Sequence, residues 1–231
     1  MPQEHIVKPG EHLAAIADAY GFTNWLAIWD APENKSLKDL RKNPNVLLAG
    51  DKLTIPDRQT RDESGATEQK HTFKVSAPKL KLRIALHGLK DQPLSGHEGS
   101  LTIETDKEDF RTKSDGMIER DIAPNARKGT LVDSGPPPEP NQPRLDRTIE
   151  LQIGFLDPVA EVSGQIQRLN NLGYQAGDTL DRVFTDAEAE EIRKSLRFRS
   201  AVEEFQCDFK LQIDGTCGPN TQNKLLEIHG S

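Results

Sequence analysis

The side chains best suited to metal or acid–base chemistry are six histidines and two cysteines in a chain of 231 residues. His97-Glu98 begins like the His-Glu-x-x-His motif, in which two histidines on one helix face bind zinc and the glutamate acts as a base. Residue 101 is leucine, so the second histidine of that motif is missing. Two cysteines without further ligands do not make a zinc site either. We therefore predict no metal centre and no cofactor.

Nucleophiles and paired carboxylates are not arranged for catalysis either. Ser95-Gly96 and Ser163-Gly164 are ordinary turn pairs and not part of a Gly-x-Ser-x-Gly elbow. A glycosidase needs two carboxylates about 5 to 10 Å apart across a sugar cleft. The acidic run at 186–191 is instead typical of a helix start, where negative charge favours the helix dipole. The pattern indicates binding without bond-breaking, so we expect no enzyme.

The two cysteines, Cys207 and Cys217, leave two possibilities open. A disulfide could close the short loop between them if the protein reaches an oxidising compartment. The simpler interpretation is two free thiols, which we favour.

Composition excludes several classes of function. The formal net charge of −7 argues against a nucleic-acid binder, which would normally carry a basic face. No stretch approaches the roughly 20 apolar residues that span a bilayer. The start, Met-Pro-Gln-Glu-His, has neither a basic region nor an apolar run, so we expect no secretory signal. A chain made in the cytosol would stay there, or would reach the periplasm or a target cell through an injection machine.

The pattern of the first segment, residues 1–56, predicts a strand, two helical stretches and a second strand. A short β-branched run ends at the turn Lys8-Pro9-Gly10, and Lys52-Leu53-Thr54-Ile55 alternates as a strand. Leu13, Ile16, Ala17 and Tyr20 recur at i, i+3, i+4 and i+7, which places them on one face of a short helix. Trp25, Ile28 and Trp29 indicate a second amphipathic turn, and Leu37 and Leu40 continue the helical spacing.

The middle of the chain changes character twice. Residues 57–70 are polar without periodicity, which predicts a linker. Residues 71–157 show strand alternation, as in Phe73 and Val75, in the leucines and isoleucine at 80–86, and from Ile149 to Phe155. Period two predicts an antiparallel sheet or small sandwich. The proline-rich stretch at 135–140 predicts an exposed loop, because proline cannot donate ladder hydrogen bonds.

Residues 158–231 carry helical signals throughout. Ile166, Leu169 and Leu172 lie at three-residue steps, and Thr185 with Glu188 makes a capping box. Apolar residues at helical spacing continue to Phe205, and a last short helix follows the turn around Gly218-Pro219. We predict three helices in a compact bundle. The whole chain is therefore predicted to be an α+β protein of several small domains.

The first segment resembles a LysM module. The matching residues are Val7 to Leu13, Ile16-Ala17, Tyr20-Gly21, Asn34, and Gly50-Asp51-Lys52-Leu53-Thr54-Ile55-Pro56. The usual Gly-Asp-Thr reads Gly10-Glu11-His12 here, and an insertion runs from Lys35 to Asn43. The resemblance implies a βααβ fold that binds N-acetylglucosamine-containing glycan without cleaving it. The implied groove has one wall at Gly10, Glu11, His12 and Leu13 and the other at Asn45, Val46 and Leu47.

The last segment resembles the type 1 peptidoglycan-binding domain. The resemblance depends on Gln165 to Tyr174, on Phe205-Gln206, on Leu211, and on Asp214-Gly215-Thr216-Cys217-Gly218-Pro219-Asn220-Thr221. In this reading the glycines are turn residues, and Thr221 caps the last helix. The β region is similar to a carboxypeptidase-regulatory or transthyretin-like sandwich, on the cues Asp91 to Gly96, Thr112 to Gly116, Ile122 to Pro124 and Gly129 to Leu131. This resemblance implies a spacer.

Two hypotheses follow from these resemblances. The first is a non-catalytic peptidoglycan-binding protein, with wall-recognition modules at both ends of a β spacer and glycan chains as its partner. The alternative is an adaptor, structural or effector-loading component of a contractile injection system of the type VI secretion kind. It would use the same folds to contact spike or effector proteins, since the three-part arrangement resembles proteins of such systems. Neither hypothesis involves nucleic acid or a membrane.

Overall fold

The computed structural model of the protein describes residues 2–58, 64–72, 80–88, 92–136, 146–180 and 182–230. Helices and antiparallel sheets occur in one chain, which confirms the predicted α+β class. No helix in these ranges is both long and apolar enough to cross a membrane. Phe73, Val75, Asp91 and most of the predicted proline-rich loop lie outside the described residues.

The chain divides into two compact units. The first contains Met1–Ile16, Trp25–Arg58 and Gly154–Ser231, and the second contains Ala17–Asn24 and Gln59–Ile153. Most of the LysM-like segment and the helical segment therefore belong to the same unit, although the β region separates them in sequence. The predicted domain boundaries stay a prediction.

The amino-terminal segment has the predicted order of strands and helices. Its elements are β1 (Gln3–Ile6), α1 (Leu13–Ala19), α2 (Leu26–Trp29), a 3-10 turn (Pro32–Asn34), α3 (Lys35–Arg41) and β2 (Lys52–Ile55). The two strands pair antiparallel, with Gln3 opposite Ile55. Helix α3 occupies most of the predicted insertion. Leu13, Ile28 and Leu53 are fully buried, because the helical spacing and the strand alternation put them on inward faces.

Asn34 links the helical part of this segment to β2. Its side-chain nitrogen donates to the carbonyl oxygens of Ile28 and Thr54 at 2.8 and 2.7 Å, and its side-chain oxygen accepts from the Thr54 amide at 2.7 Å. Asn34 is only 2% exposed. The asparagine thus satisfies backbone groups that burial would otherwise leave unpaired.

Asn34→Ala should lower the free energy of unfolding of this segment by about 2–4 kcal/mol, because it orphans buried donors and acceptors. Chemical denaturation followed by tryptophan fluorescence measures the change. Asn45→Ala, at an exposed position in the same segment, is the control and should change stability by no more than about 0.5 kcal/mol. Equal effects of the two substitutions would contradict the role given to Asn34.

The second unit contains two antiparallel sheets. One pairs β3 (Leu80–Ala85) with β6 (Met117–Ile122), and the other has the order β5-β4-β7-β8. The strands of the second sheet are β4 (Glu98–Ile103), β5 (Asp106–Arg111), β7 (Lys128–Asp133) and β8 (Arg147–Gln152). Both sheets contribute to one core of Leu86, Leu101, Ile103, Ile118, Ile122, Ala126 and Leu131. Strand β5 is mostly polar and exposed, so apolar alternation did not predict it.

Strand β8 ends at Gln152, so the prediction that alternation carries the strand to Phe155 is wrong. Ile153 still packs against the sheet core. Gly154 then has a φ of +84°, which takes the chain out of the extended conformation. Phe155 belongs to the first unit, not to the sheet.

The carboxy-terminal segment has four helices among its described residues instead of the predicted three. They are α4 (Val162–Asn171), α5 (Asp186–Lys194), α6 (Leu196–Asp208) and α7 (Pro219–His229). The predicted capping box of Thr185 and Glu188 is confirmed at the start of α5. The extra break occurs at Ser195, which is extended and whose hydroxyl accepts from the Phe198 amide as the N-cap of α6.

Gln206 explains why the Phe-Gln and Asp-Gly-x-x-Gly-Pro-x-Thr signatures occur together. Its buried amide donates to the Asp214 carboxylate, the Thr216 carbonyl and the Thr221 hydroxyl, and its oxygen accepts from the amides of Asp214 and Gly215. The predicted cap at Thr221 is wrong. Helix α7 is preceded by Gly218 as N-cap, and Thr221 lies inside its first turn as a partner of Gln206.

His229, at the end of α7, provides a pH test of the bundle. Burial, together with the nearby positive charge of Arg168, lowers the pKa of His229 to about 4. Its Nε2 accepts a hydrogen bond from Asn171 at 3.0 Å, an arrangement that requires this nitrogen to be unprotonated.

The unfolded chain binds a proton at His229 near pH 6.5, whereas the folded chain does so only near pH 4. This histidine should therefore destabilise the bundle progressively as pH falls from about 6.5 to about 4. Denaturation across that range, compared between the wild type and His229→Gln, measures the contribution, which should be absent from the variant. An NMR titration midpoint of His229 near 6.5 would contradict it.

Candidate functional site

Two loops of the amino-terminal segment lie side by side at the end of the β1–β2 pair. The first loop, residues 7–12, follows β1, and the second loop, residues 43–51, precedes β2. The Val7 amide donates to the Asp51 carbonyl at 2.9 Å, and the Gly50 amide donates to the Val7 carbonyl at 2.8 Å. The strand pairing thus continues to the bases of the two loops, which carry the predicted groove walls.

The second loop is fixed by an ion pair between Arg41 and Asp51. Arg41 donates through Nε and a terminal nitrogen to the two carboxylate oxygens of Asp51, at 2.8 and 2.7 Å. The Leu48 amide also donates to this carboxylate, at 2.9 Å. The hydrogen bonding of Arg41 to Asp51 is the main cause that raises the pKa of Arg41. The aspartate of the Gly-Asp turn therefore has a structural role.

The first loop is closed by Glu11. Its Oε2 accepts from the Lys8 amide at 2.9 Å and is hydrogen-bonded to Nε2 of His5 at 2.8 Å. The Glu11 amide donates back to the Lys8 carbonyl at 3.1 Å. A longer carboxylate than the usual aspartate thus still closes this turn. Gly10 has a φ of +76°, a conformation that glycine adopts at no steric cost.

The seven predicted groove residues differ in their exposure. His12, Leu13, Val46 and Leu47 are buried side chains at 0–6% exposure. Gly10 and Glu11 are half-buried, and Asn45 is exposed. The structure places all seven on the two adjacent loops or directly after the first of them. Of the seven, Glu11 and Asn45 are the two whose side chains are not buried. Their assignment as glycan-binding residues stays a prediction.

Sequence reasoning missed the residues that pack on the first loop. We name residues 154–157 the covering segment. A Cβ atom built on Gly10 would lie 2.4 Å from Cζ of Phe155, so the tip of this ring occupies the space beside Gly10. A Cβ built on Gly154 would lie 2.6 Å from Cδ2 of His12 and 3.1 Å from the Gly10 carbonyl oxygen. The covering segment therefore contacts the predicted first wall directly.

The covering segment is anchored to α4 at its far end. The Asp157 amide donates to the Gln167 side chain at 2.7 Å, and Arg168 donates to the Asp157 carbonyl at 2.7 Å. Burial raises the pKa of the Asp157 carboxyl, and the same effect lowers the pKa of Arg168 to about 10. The negative charges of Glu161 and Asp157 also raise the pKa of Arg41, each by less than Asp51 does. The segment thus extends from the first loop toward the arginine that fixes the second.

A histidine–aspartate pair in the second unit also escaped sequence reasoning. Nδ1 of the buried His97 is hydrogen-bonded to Asp133 at 2.9 Å, and Arg147 donates to the other carboxylate oxygen at 2.8 Å. His97 directly precedes β4, Asp133 ends β7 and Arg147 begins β8. These hydrogen bonds therefore join three neighbouring strands. Among the residues that the structure describes, no group of histidine, cysteine or carboxylate side chains could hold a metal ion.

The two cysteines are free thiols, Cys207 exposed and Cys217 buried. Burial raises the pKa of the Cys217 thiol to about 12, so it stays protonated and unreactive at neutral pH.

In the native protein at about pH 8, close to the ordinary thiol pKa, a disulfide reagent should titrate Cys207 rapidly and Cys217 only after denaturation. Cys207→Ser should abolish the rapid reaction and leave the one that follows denaturation. Absorbance of the released thiolate measures both phases. Rapid reaction of both thiols in the native protein would contradict the burial of Cys217.

Comparison with known proteins identifies the amino-terminal segment. The LysM domain family matches residues 5–35, which confirms the predicted LysM domain. The match covers the first loop and ends before the second. No curated protein and no solved structure matches the chain. The LysM domain is a binding module and suggests a peptidoglycan or N-acetylglucosamine glycan as ligand. The type 1 peptidoglycan-binding resemblance of the last segment stays a prediction.

Proposed function

We propose that the protein is a non-catalytic peptidoglycan-binding protein whose LysM domain binds N-acetylglucosamine-containing glycan between its two loops. The observation that carries the proposal is the LysM match over the first loop, together with the hydrogen bonds that hold the second loop beside it. Gly10, Glu11 and Asn45 provide polar groups at this place, and the buried Leu13, Val46 and Leu47 support them from beneath.

The chemistry of the two loops suits a neutral sugar. N-acetyl groups require a hydrogen-bond donor, an acceptor and a small apolar surface, which backbone groups of a glycine turn can provide. The carboxylate of Glu11 accepts from the Lys8 amide and is hydrogen-bonded to His5, so it is held in place. Asn45 presents an exposed side-chain amide, which both donates and accepts.

The helical segment is proposed as a second wall-binding module. Its support is the sequence signature of the type 1 peptidoglycan-binding domain. The residues of this signature are hydrogen-bonded to Gln206, which thereby fixes the loop between α6 and α7. Two weak sites on one chain would raise retention on a polymeric ligand through effective concentration. The α6–α7 loop is thus compatible with such a module.

Incubation of the full chain with purified insoluble sacculi tests the proposal. We expect a fraction of the protein to sediment with the sacculi at low and moderate salt, with no loss of turbidity from the suspension. Protein that stays entirely in the supernatant at both salt concentrations would reject glycan binding. Falling turbidity would reject the non-catalytic part.

Asn45→Ala should weaken retention on sacculi about threefold to tenfold, since one hydrogen bond of about 0.5–1.5 kcal/mol would be lost. The matched control is Asn125→Ala, an exposed asparagine in a turn of the second unit. Sedimentation across a series of sacculus concentrations measures both variants. Equal retention of Asn45→Ala and the wild type would remove Asn45 from the site.

A second candidate function is an adaptor or effector-loading component of a contractile injection system, in which the LysM domain contacts protein. The observation that favours it is the packing of Phe155 and Gly154 on the first loop, since this surface already contacts polypeptide. In that case export to the periplasm or to a target cell would occur with the machine. Co-purification with a spike or effector protein from the native host is the expected result, and isolation as a lone monomer would count against it.

A further inference from the structure

We infer that the covering segment, residues 154–157, is an autoinhibitory cover of the LysM groove, which glycan must displace from the first loop. The inference depends on the proposed function for the identity of the ligand. The contact itself follows from the packing of Gly154 and Phe155 on Gly10 and His12.

The contact occupies the surface that a ligand of the first loop would need. Three ring atoms of Phe155 lie within 2.9 Å of the position that a Cβ on Gly10 would take. Only a residue without a side chain leaves room for the ring there. The Gly154 backbone lies in the same way over the ring of His12 and beside the Gly10 carbonyl oxygen. Sugar and covering segment therefore compete for one face of the loop.

The direction of the segment extends the cover toward the second loop. Phe155 contacts the first loop, and two residues later Asp157 lies close enough to Arg41 for the two charges to interact. Two extended residues span about 7 Å. Arg41 in turn holds the second loop through Asp51. The segment thus starts at one predicted wall and ends at a residue whose charge interacts with the anchor of the other.

The two ends of the segment are suited to different tasks. Asp157 is tied to Gln167 and Arg168 of α4 by hydrogen bonds of 2.7 Å each, so this end stays in place. Gly154 has a φ of +84° and lacks a side chain, so the chain can turn there. Displacement of Phe155 alone would leave these hydrogen bonds to α4 intact. The apparent affinity for glycan is then the affinity of the open state multiplied by the fraction of molecules that are open.

The first test compares Phe155→Ala with the wild type, as full chains, for binding of a soluble chitin oligosaccharide by calorimetry. If the covered state is populated about ten times more than the open one, removal of the ring should strengthen binding about tenfold. The matched control is Phe184→Ala, another half-buried phenylalanine, in the helical segment. It should leave affinity unchanged. Weaker or equal binding by a folded Phe155→Ala would overturn the inference, and weaker binding would make the ring part of the sugar site.

The second test needs no glycan. Amide hydrogen exchange of residues 8–12 should become faster in Phe155→Ala than in the wild type, because the ring no longer covers them. Equal exchange rates would overturn the inference, whatever the affinity. Faster exchange without sugar binding by either protein would instead reject the proposed glycan while keeping the cover. Should Phe155→Ala fail to fold, Phe155→Leu keeps an apolar side chain and should show the same changes at reduced size.

Discussion

The candidate site depends on the carboxylate of Asp51. It accepts two hydrogen bonds from Arg41 and one from the Leu48 amide, while the carbonyl of the same residue accepts from Val7. The Arg41 and Asp51 side chains are only 12% and 9% exposed. Removal of one partner from a buried pair typically costs about 3–5 kcal/mol, because the other charge is left without compensation. One residue thereby joins the end of α3, the second loop and the first loop.

Much of the fold followed from periodicity and turn residues. Period 3.6 and period two identified the core of the LysM segment, since Leu13, Ile28 and Leu53 are all fully buried. The capping box at Thr185 was predicted from residue types alone, because its hydrogen bonds are local. The helix break at Ser195 was not predicted, because the apolar spacing continues across Ser195. The break is marked only by the Ser195 side chain, which caps α6. The polar strand β5 lacked the alternation that a half-buried strand shows.

The site was predicted less completely than the fold. The two loops could be located from glycine turns and from resemblance to LysM, but the burial of His12, Val46 and Leu47 required coordinates. Phe155 was misassigned for a physical reason. Its alternation with the preceding apolar residues is real, but its burial partner is Gly10 in a distant part of the sequence and not a neighbouring strand. Gly154 was the one local sign that the strand had ended.

The order of the segments along the chain has a consequence for biosynthesis. The LysM segment leaves the ribosome before the β region, whereas the residues that pack on its first loop follow only after the whole of the second unit. Contacts between such distant positions form late, because a long loop must close before they contribute. The nascent chain therefore carries an uncovered LysM loop throughout synthesis of the β region. During translation this surface is open to cellular components that the finished protein would exclude.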